Sequence, residues 1–301
     1  MTKDKRMAIF GLGSMGLGVG NSLLRAGILA HGFDVRSDVQ ASFIASGGAV
    51  GTPAQIASDL STVITVVLNA AQTEDVLFGK PGIVPLLPSG AVVISCATVA
   101  PEFARAMESR CNDHGVFYLD APISGGSVKA SAGQLSIMAA GSQSAFDAAK
   151  PALDAISETV FDLGRQAGSG SAMKAVNQLL AGVHIAAMSE AITFGMTQGV
   201  APEAFLNVIK NCAGTSWMLE NRAPRIVEGD YTPHSQVNIW PKDLGIVLDI
   251  ARSAGFSAPL TATAFQQYMV AVGMGLGQED DAALAKVYAR NSGLHLPGDK
   301  R

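Results

Sequence analysis

An apolar run at residues 7–10 passes without a break into Gly11-Leu12-Gly13-Ser14-Met15-Gly16, and a helical stretch over 16–26 follows at once. A strand, a three-glycine turn and a helix in direct succession constrain the fold strongly. Gly11 permits a tight turn and Gly13 leaves the backbone bare for close approach. Gly16 lets the helix pack tightly on the strand. Such a helix crosses back over a sheet whose next strand runs parallel to the first.

The first half keeps that rhythm. Candidate strands lie at 7–10, 29–33, 63–68, 91–95, 116–119, 135–139 and 159–163. Several are unbroken apolar runs, as expected for strands covered on both faces. Helical stretches such as 101–114 alternate with them, and the Gly/Pro cluster at 80–88 marks turns. The pattern changes after Leu163. Residues 164–170 are loop-like, and from Ser171 onward only helices are expected, at 171–198, 201–212, 216–227, 240–254, 260–274 and 281–289. The expected fold is α/β: a Rossmann-type, doubly wound parallel sheet over residues 1–165, which binds a dinucleotide. An all-helical domain for substrate binding and oligomerisation follows over 166–301.

Bulk properties narrow the partners. A length of 301 residues accommodates two domains. Hydrophobic residues make up 48% and charged residues 15%, which implies more buried surface than one free-standing domain needs and points to a homo-oligomer. A net charge of −4 without a basic run makes nucleic acid and anionic membranes poor partners. Cys96, Cys111 and Cys212 are scattered and odd in number, which fits a reducing cytoplasm and gives neither a disulfide framework nor a metal spacing. The first residues are charged and lead into a strand without a long apolar signal region, which also fits the cytoplasm. The helix at 171–198 is apolar, but it holds Lys174, Asn177, His184 and Glu190. It is therefore expected to be a buried core helix, roughly 40 Å long, and not a membrane span. No HxxxH or HExxH pattern points to a metal, and no GxSxG points to a nucleophilic serine.

The glycine turn, with a strand before it and a helix after it, is a dinucleotide-binding pattern. Gly11, Leu12, Gly13, Ser14, Met15 and Gly16 are its candidate contacts. Asp34 ends the second strand, 18 residues after Gly16. A carboxylate there accepts hydrogen bonds from ribose hydroxyls and repels a 2′-phosphate, which favours NAD over NADP. Arg36 works against that preference, because a nearby arginine accommodates such a phosphate.

Further along, Asp120-Ala121-Pro122-Ile123-Ser124-Gly125-Gly126 follows the fifth strand. Ser124, Gly125 and Gly126 offer consecutive N–H groups and a hydroxyl, a nest for a small carboxylate or, equally, a glycine hinge. Lys174 stands in a stretch whose only other formal charge up to Gly195 is Glu190. Desolvation lowers a lysine's pKa from about 10.4 towards the range where it exchanges protons near neutrality. Asn177, three residues on, shares its helix face. Lys242 either reaches the cofactor or is an ordinary surface lysine. His184 and Glu190 read as structural.

In this order, Gly11–Gly16, Asp120–Gly126, Gly168-Ser169-Gly170 followed by Lys174-Ala175-Val176-Asn177-Gln178, and Lys242-Asp243-Leu244 resemble the motifs of the β-hydroxyacid dehydrogenase family. The resemblance covers nearly the whole chain. It implies a cleft between a dinucleotide domain and a helical domain, and hydride transfer from the hydroxyl carbon of a small sugar acid to NAD. It implies further that Lys174 is the catalytic lysine, with Asn177 beside it, and that Ser124, Gly125 and Gly126 hold the substrate carboxylate. Gln178 stands where many members have a second asparagine, and its greater length would reshape the pocket for a polyhydroxy acid. Leu68, Asn69, Thr98 and Lys242 match positions that line the cofactor. Ala97 precedes Thr98 where related chains often have serine, which leaves that contact open. Two rivals share the architecture: a phosphogluconate-type enzyme would want histidine in place of Asn177, and an imine reductase usually lacks the lysine. A non-catalytic dinucleotide sensor would have no use for Lys174 together with Ser-Gly-Gly.

Overall fold

The computed structural model describes residues 6–298 and divides into two compact units, Met1–Lys174 and Ala175–Arg301.

In the first unit, β1 (Arg6–Phe10) runs through the glycine turn into α1 (Ser14–Arg25), which returns to β2 (Leu29–Phe33). Helices α2 (Ser37–Ala45) and α3 (Pro53–Ile56) lead to β3 (Leu60–Thr65), α4 (Ala70–Phe78) leads to β4 (Val92–Ser95), and α5 (Pro101–Asp113) to β5 (Phe117–Asp120). The five strands form one parallel sheet in the order β2-β1-β3-β4-β5. Strand order reverses between β1 and β3, so their carboxyl ends flank the crevice where open α/β sheets bind ligands. Successive side chains go to opposite faces. Met7, Ile9, Ile64, Val92 and Ile94 join Val19 and Leu23 of α1 in one core, while Ala8, Phe10, Val63 and Val93 enter the other. Burial on both faces explains the unbroken apolar runs. Each fully buried Leu, Ile or Phe contributes about 1.5–3 kcal/mol.

Two details differ from the sequence expectation. The third strand ends at Thr65, earlier than the expected residue 68, because Asn69 caps α4 and the chain must leave the sheet first. The later strands form a second sheet instead of extending the first. It contains β6 (Ile123–Ser124), then, beyond α6 (Gly126–Ala132), β7 (Leu135–Ala139), and beyond α7 (Gln143–Ile156), β8 (Ser157–Asp162). Its order is β6-β7-β8, with β6 antiparallel to β7. Two residues are too few to display a period, so β6 left no trace in the sequence pattern.

Helix α8 (Ser169–Thr197) begins in the first unit and continues into the second. The helices α9 (Pro202–Ile209), α10 (Trp217–Glu228), α11 (Ile239–Ser253), α12 (Pro259–Gly273) and α13 (Ala285–Asn291) complete the second unit. Ile185, Ile192, Ile226, Leu244 and Ala264 form its core, with Trp240 stacked on Tyr268 at 5.6 Å between ring centroids. Gly182 makes room for α11: a Cβ there would lie 2.8 Å from the Leu244 side chain. Arg222 is buried against Asp281 (2.5 Å), which also accepts the Trp240 indole N–H at 3.0 Å. A buried pair of this kind does more to fix which groups meet than to add net stability.

Candidate active site

The glycine turn lies at the carboxyl end of β1. Gly11 has φ +94°, and a Cβ there would stand 2.4 Å from the Val66 carbonyl oxygen. A Cβ on Gly16 would stand 1.8 Å from the Gly11 oxygen. The fold itself therefore requires glycine at both positions. Gly13 is different: nothing lies within 4 Å of where its Cβ would be. It caps α1 with φ −60°, and its carbonyl accepts the Leu17 N–H at 2.8 Å. Ser14, Met15 and Gly16 form the first turn, whose N–H groups have no intrahelical acceptor and carry the positive end of the helix dipole.

Asp34 turns back onto this loop. Its Oδ2 accepts the buried Leu12 N–H at 2.7 Å, and its Oδ1 accepts the Arg36 N–H at 2.9 Å and the guanidinium Nε at 3.3 Å. Burial pushes the Asp34 carboxyl up. The amides of Arg36 and Leu12, with the Arg36 guanidinium, outweigh that and hold it below the usual carboxylate range. Oδ1 is filled by its two donors, and Oδ2 keeps a further lone pair for a hydroxyl donor. Across the reversal point, Leu68 exposes 62% of its surface although it is apolar. Asn69 spends its side-chain oxygen on the Gln72 N–H (2.9 Å), capping α4. Thr98 is half-buried in the segment between β4 and α5. The open cradle at Gly13, the bare helix start and the remaining Oδ2 lone pair of Asp34 fit a dinucleotide: a small gap for phosphates, N–H donors beside it, and an acceptor for ribose.

The second sheet begins at the other candidate loop. Ser124 ends β6, Gly125 (φ +132°) and Gly126 (φ +75°) turn the chain, and α6 follows. Lys174 reaches this loop. The lysine is buried, at 8% exposure, and its Nζ donates to the Ile123 carbonyl at 2.9 Å, one residue before Ser124. The sequence spacing of 51 residues collapses to one hydrogen bond.

What anchors this arrangement is Asp120, the first residue of the motif that ends in Gly126. Its Oδ2 accepts the N–H groups of Gly168 and Ser171 at 2.8 Å each, and its Oδ1 accepts the Ser171 hydroxyl at 2.7 Å. Asp120 thereby caps α8 one turn before Lys174. Gly170 permits the approach, since a Cβ there would lie 2.4 Å from the Met138 oxygen. Glu108 accepts the Ala167 N–H from the other side, at 3.2 Å. A lone acid at the end of an apolar strand was the available signal for Asp120.

The remaining sequence candidates lie in the second unit and form their own polar chain. Asn177 Nδ2 donates to Gln178 Oε1 at 2.9 Å, and Gln178 Nε2 donates to Asp243 Oδ2 at 2.5 Å. Asp243 Oδ1 lies 2.5 Å from the Lys242 ammonium. Asp243 and Gln178 are buried. Lys242 is therefore ion-paired with its sequence neighbour.

Comparison with known proteins agrees with this geometry. The model of the NAD binding domain of 6-phosphogluconate dehydrogenase matches residues 6–164, and that of the NAD-binding domain of NADP-dependent 3-hydroxyisobutyrate dehydrogenase matches 168–288. An L-threonate dehydrogenase of Cupriavidus necator is 46% identical over 98% of this chain and 99% of its own length. One from Escherichia coli K12 is 41% identical over 98% of this chain and 97% of its own. A crystal structure of 3-hydroxyisobutyrate dehydrogenase from Salmonella typhimurium superposes with a TM-score of 0.89 at 40% identity, covering 94% of this chain and all (100%) of that one. Matched nearly end to end at these identities, the chain belongs to the β-hydroxyacid dehydrogenase family, the NAD-dependent enzymes related to 3-hydroxyisobutyrate dehydrogenase.

Proposed function

We propose that this enzyme oxidises the 2-hydroxy group of L-threonate to give 2-dehydro-L-erythronate, with NAD as the hydride acceptor. The observation that carries it is the 2.9 Å bond from the buried Lys174 Nζ to the Ile123 carbonyl, which sets an amine beside the Ser124–Gly126 corner. The substrate is named from the L-threonate dehydrogenase relatives at 40–46% identity over nearly the full chain. Longer stretches point the same way: 68–72, 178–187, 213–218, 229–235 and 278–281 resemble L-threonate dehydrogenases beyond the shared family motifs.

When bound, NAD supplies the electron sink. The protein supplies the rest. Gly11–Gly16 and Asp34 hold the dinucleotide, with Leu68, Asn69, Thr98 and Lys242 as further contacts. The Ser124 hydroxyl and the amides of Gly125 and Gly126 hold the carboxylate. As the C–H bond gives up its hydride, the hydroxyl proton passes to Lys174 Nζ, and Lys174 returns it in the reverse direction. Asn177 and Gln178 orient the substrate. The carboxylate of Asp34 disfavours a 2′-phosphate, and its pairing occupies the neighbouring Arg36.

The enzyme acts as a cytoplasmic homo-oligomer in this proposal, without nucleic-acid or membrane partners. Helix α8 exposes Met173, Val176, Leu180 and Phe194, apolar surface suited to a second subunit. The three cysteines are unpaired, in keeping with a reducing compartment. A monomeric mass by light scattering would refute the oligomer.

The experiment is NADH formation measured with a panel of three- to five-carbon hydroxy acids. L-threonate is expected to give the highest kcat/KM. Preference for 3-hydroxyisobutyrate, the name carried by the Salmonella structure, would overturn the substrate and keep the enzyme class. NAD binding with no turnover on any acid would point to a dinucleotide sensor.

A further inference from the structure

We infer that Asp243 sets the hydrogen-bonding direction of Asn177, acting through Gln178, so that the Asn177 NH2 faces Gln178 and its carbonyl oxygen is kept as an acceptor; this rests on the proposed dehydrogenase site. The argument is one of polarity. The two ends of a side-chain amide have nearly the same shape, so only their partners decide which end faces where. A carboxylate has no hydrogen to give. The Gln178 atom 2.5 Å from Asp243 Oδ2 must therefore be the NH2 group. That turns Gln178 Oε1 towards Asn177, and the Asn177 atom 2.9 Å away must in turn be its NH2. Asn177 Oδ1 is then the end left for a ligand. The direction cannot reverse without bringing two oxygens together at Asp243. The Lys242 ammonium, 2.5 Å from the other carboxylate oxygen, holds the start of the chain in place.

An acceptor at Asn177 suits a ligand that brings a hydrogen, such as the hydroxyl of a hydroxy acid. A bare carbonyl or carboxylate oxygen could meet only the second amide hydrogen, on the side turned to Gln178. Asp243 and Gln178 are positioning residues in this scheme: they act through Asn177, and their contribution is specificity for a hydroxylated ligand. Gln178 has a definite task here, because its amide is long enough to bridge Asn177 and Asp243.

The test uses the full-length protein with 15N-labelled asparagine and glutamine side chains. The Asn177 signal is identified by its loss in Asn177→Asp. Asp243→Asn removes the fixed polarity at nearly constant size. It is expected to move the Asn177 NH2 resonance although no hydrogen bond joins the two residues, and to lower kcat/KM for L-threonate about tenfold. Gln178→Met is expected to do the same, and the double variant to be no worse than either single one, the mark of residues acting as a unit. An Asn177 resonance unmoved in Asp243→Asn overturns the inference, as does a double variant whose losses multiply. If Asp243→Asn fails to fold, Asp243→Ser, which also takes the carboxylate from Gln178, decides by the same resonance. Moved resonances with unchanged kinetics support the relay and overturn the placement of Asn177 at the substrate, so the two failures are distinguishable.

Discussion

Ser171 meets Asp120 twice: its hydroxyl donates to Oδ1 at 2.7 Å and its amide donates to Oδ2 at 2.8 Å. These bonds pin the first turn of α8 to the end of β5, and Lys174 follows three residues later. The lysine's position is therefore decided at Asp120 as much as at Ile123. Both anchors lie on the segment that leads into Ser124–Gly126, so the amine and that glycine turn are built from one corner of the fold.

Hydrogen bonding at Asp120 is expected to matter more than its charge. Burial raises its pKa against the opposing bonds from Ser171 and Gly168. An amide serves the site almost as well: its oxygen can accept both N–H groups and its NH2 can donate to the Ser171 hydroxyl. Asp120→Asn should therefore stay close to wild type in stability, while Asp120→Ala orphans buried donors at about 1–3 kcal/mol each and lowers kcat. Because the folded pKa lies above the unfolded value of about 3.9, ionisation opposes folding. Stability from this group is complete below that value and declines as pH rises through the folded pKa, a decline that Asp120→Asn should abolish. Urea unfolding across pH checks both points; equal losses in the two variants would make the charge the essential feature.

Much of this was legible in the sequence, for local reasons. The strand-glycine-helix succession marks the dinucleotide turn, since Gly16 answers a steric demand from Gly11 five residues before it and Gly11 takes a positive φ that suits glycine. Apolar runs marked both faces of the main sheet. What escaped was non-local. The partners of Asp120 lie 48 and 51 residues away, and that of Gln178 lies 65 away. Nothing in the one-dimensional pattern tells a lone acid which distant amide it will meet. The short β6 pairing likewise depends on a chain reversal at glycines that read equally well as a hinge.

The three glycines of the turn should separate by effect. Gly13 already has φ −60° and open space around its would-be Cβ, so Gly13→Ala should leave Tm unchanged. It should still weaken NAD, because the added methyl stands where the cofactor backbone must approach. Gly16→Ala, with a Cβ 1.8 Å from the Gly11 oxygen, should lose both Tm and NAD affinity. Paired thermal melts and calorimetric titrations with NAD read the difference. Undiminished NAD affinity in Gly13→Ala would remove that glycine from the phosphate site.

Asp34 links cofactor choice to pH. Asp34→Ala is expected to weaken NAD and improve NADP relative to it, measured as the ratio of kcat/KM values; an unchanged ratio counts against a ribose role. The folded-state pKa is depressed, so the group stabilises the fold above its unfolded value of about 3.9, and that contribution fades as pH falls through the folded pKa. The stability gap between wild type and Asp34→Asn should accordingly shrink on acidification. A gap that widens below pH 4 would mean the bonds from Leu12 and Arg36 do not favour the carboxylate.

Lys174 offers the sharpest division between proton transfer and mere charge. Lys174→Ala should lower kcat by about 10²–10⁴, the range for a positioned acid/base, while NAD still binds, because the glycine turn and Asp34 are untouched. Lys174→Arg keeps a cation that can still donate to the Ile123 carbonyl, but a guanidinium does not release its proton in proteins. If Lys174 carries the hydroxyl proton, arginine should be nearly as inactive as alanine. If the residue only offers positive charge to a developing alkoxide, arginine should recover most of the rate. Single-turnover hydride transfer with saturating NAD isolates that step from product release. Near-normal turnover in the alanine variant would exclude Lys174 from the chemistry, whatever its distance from Ile123.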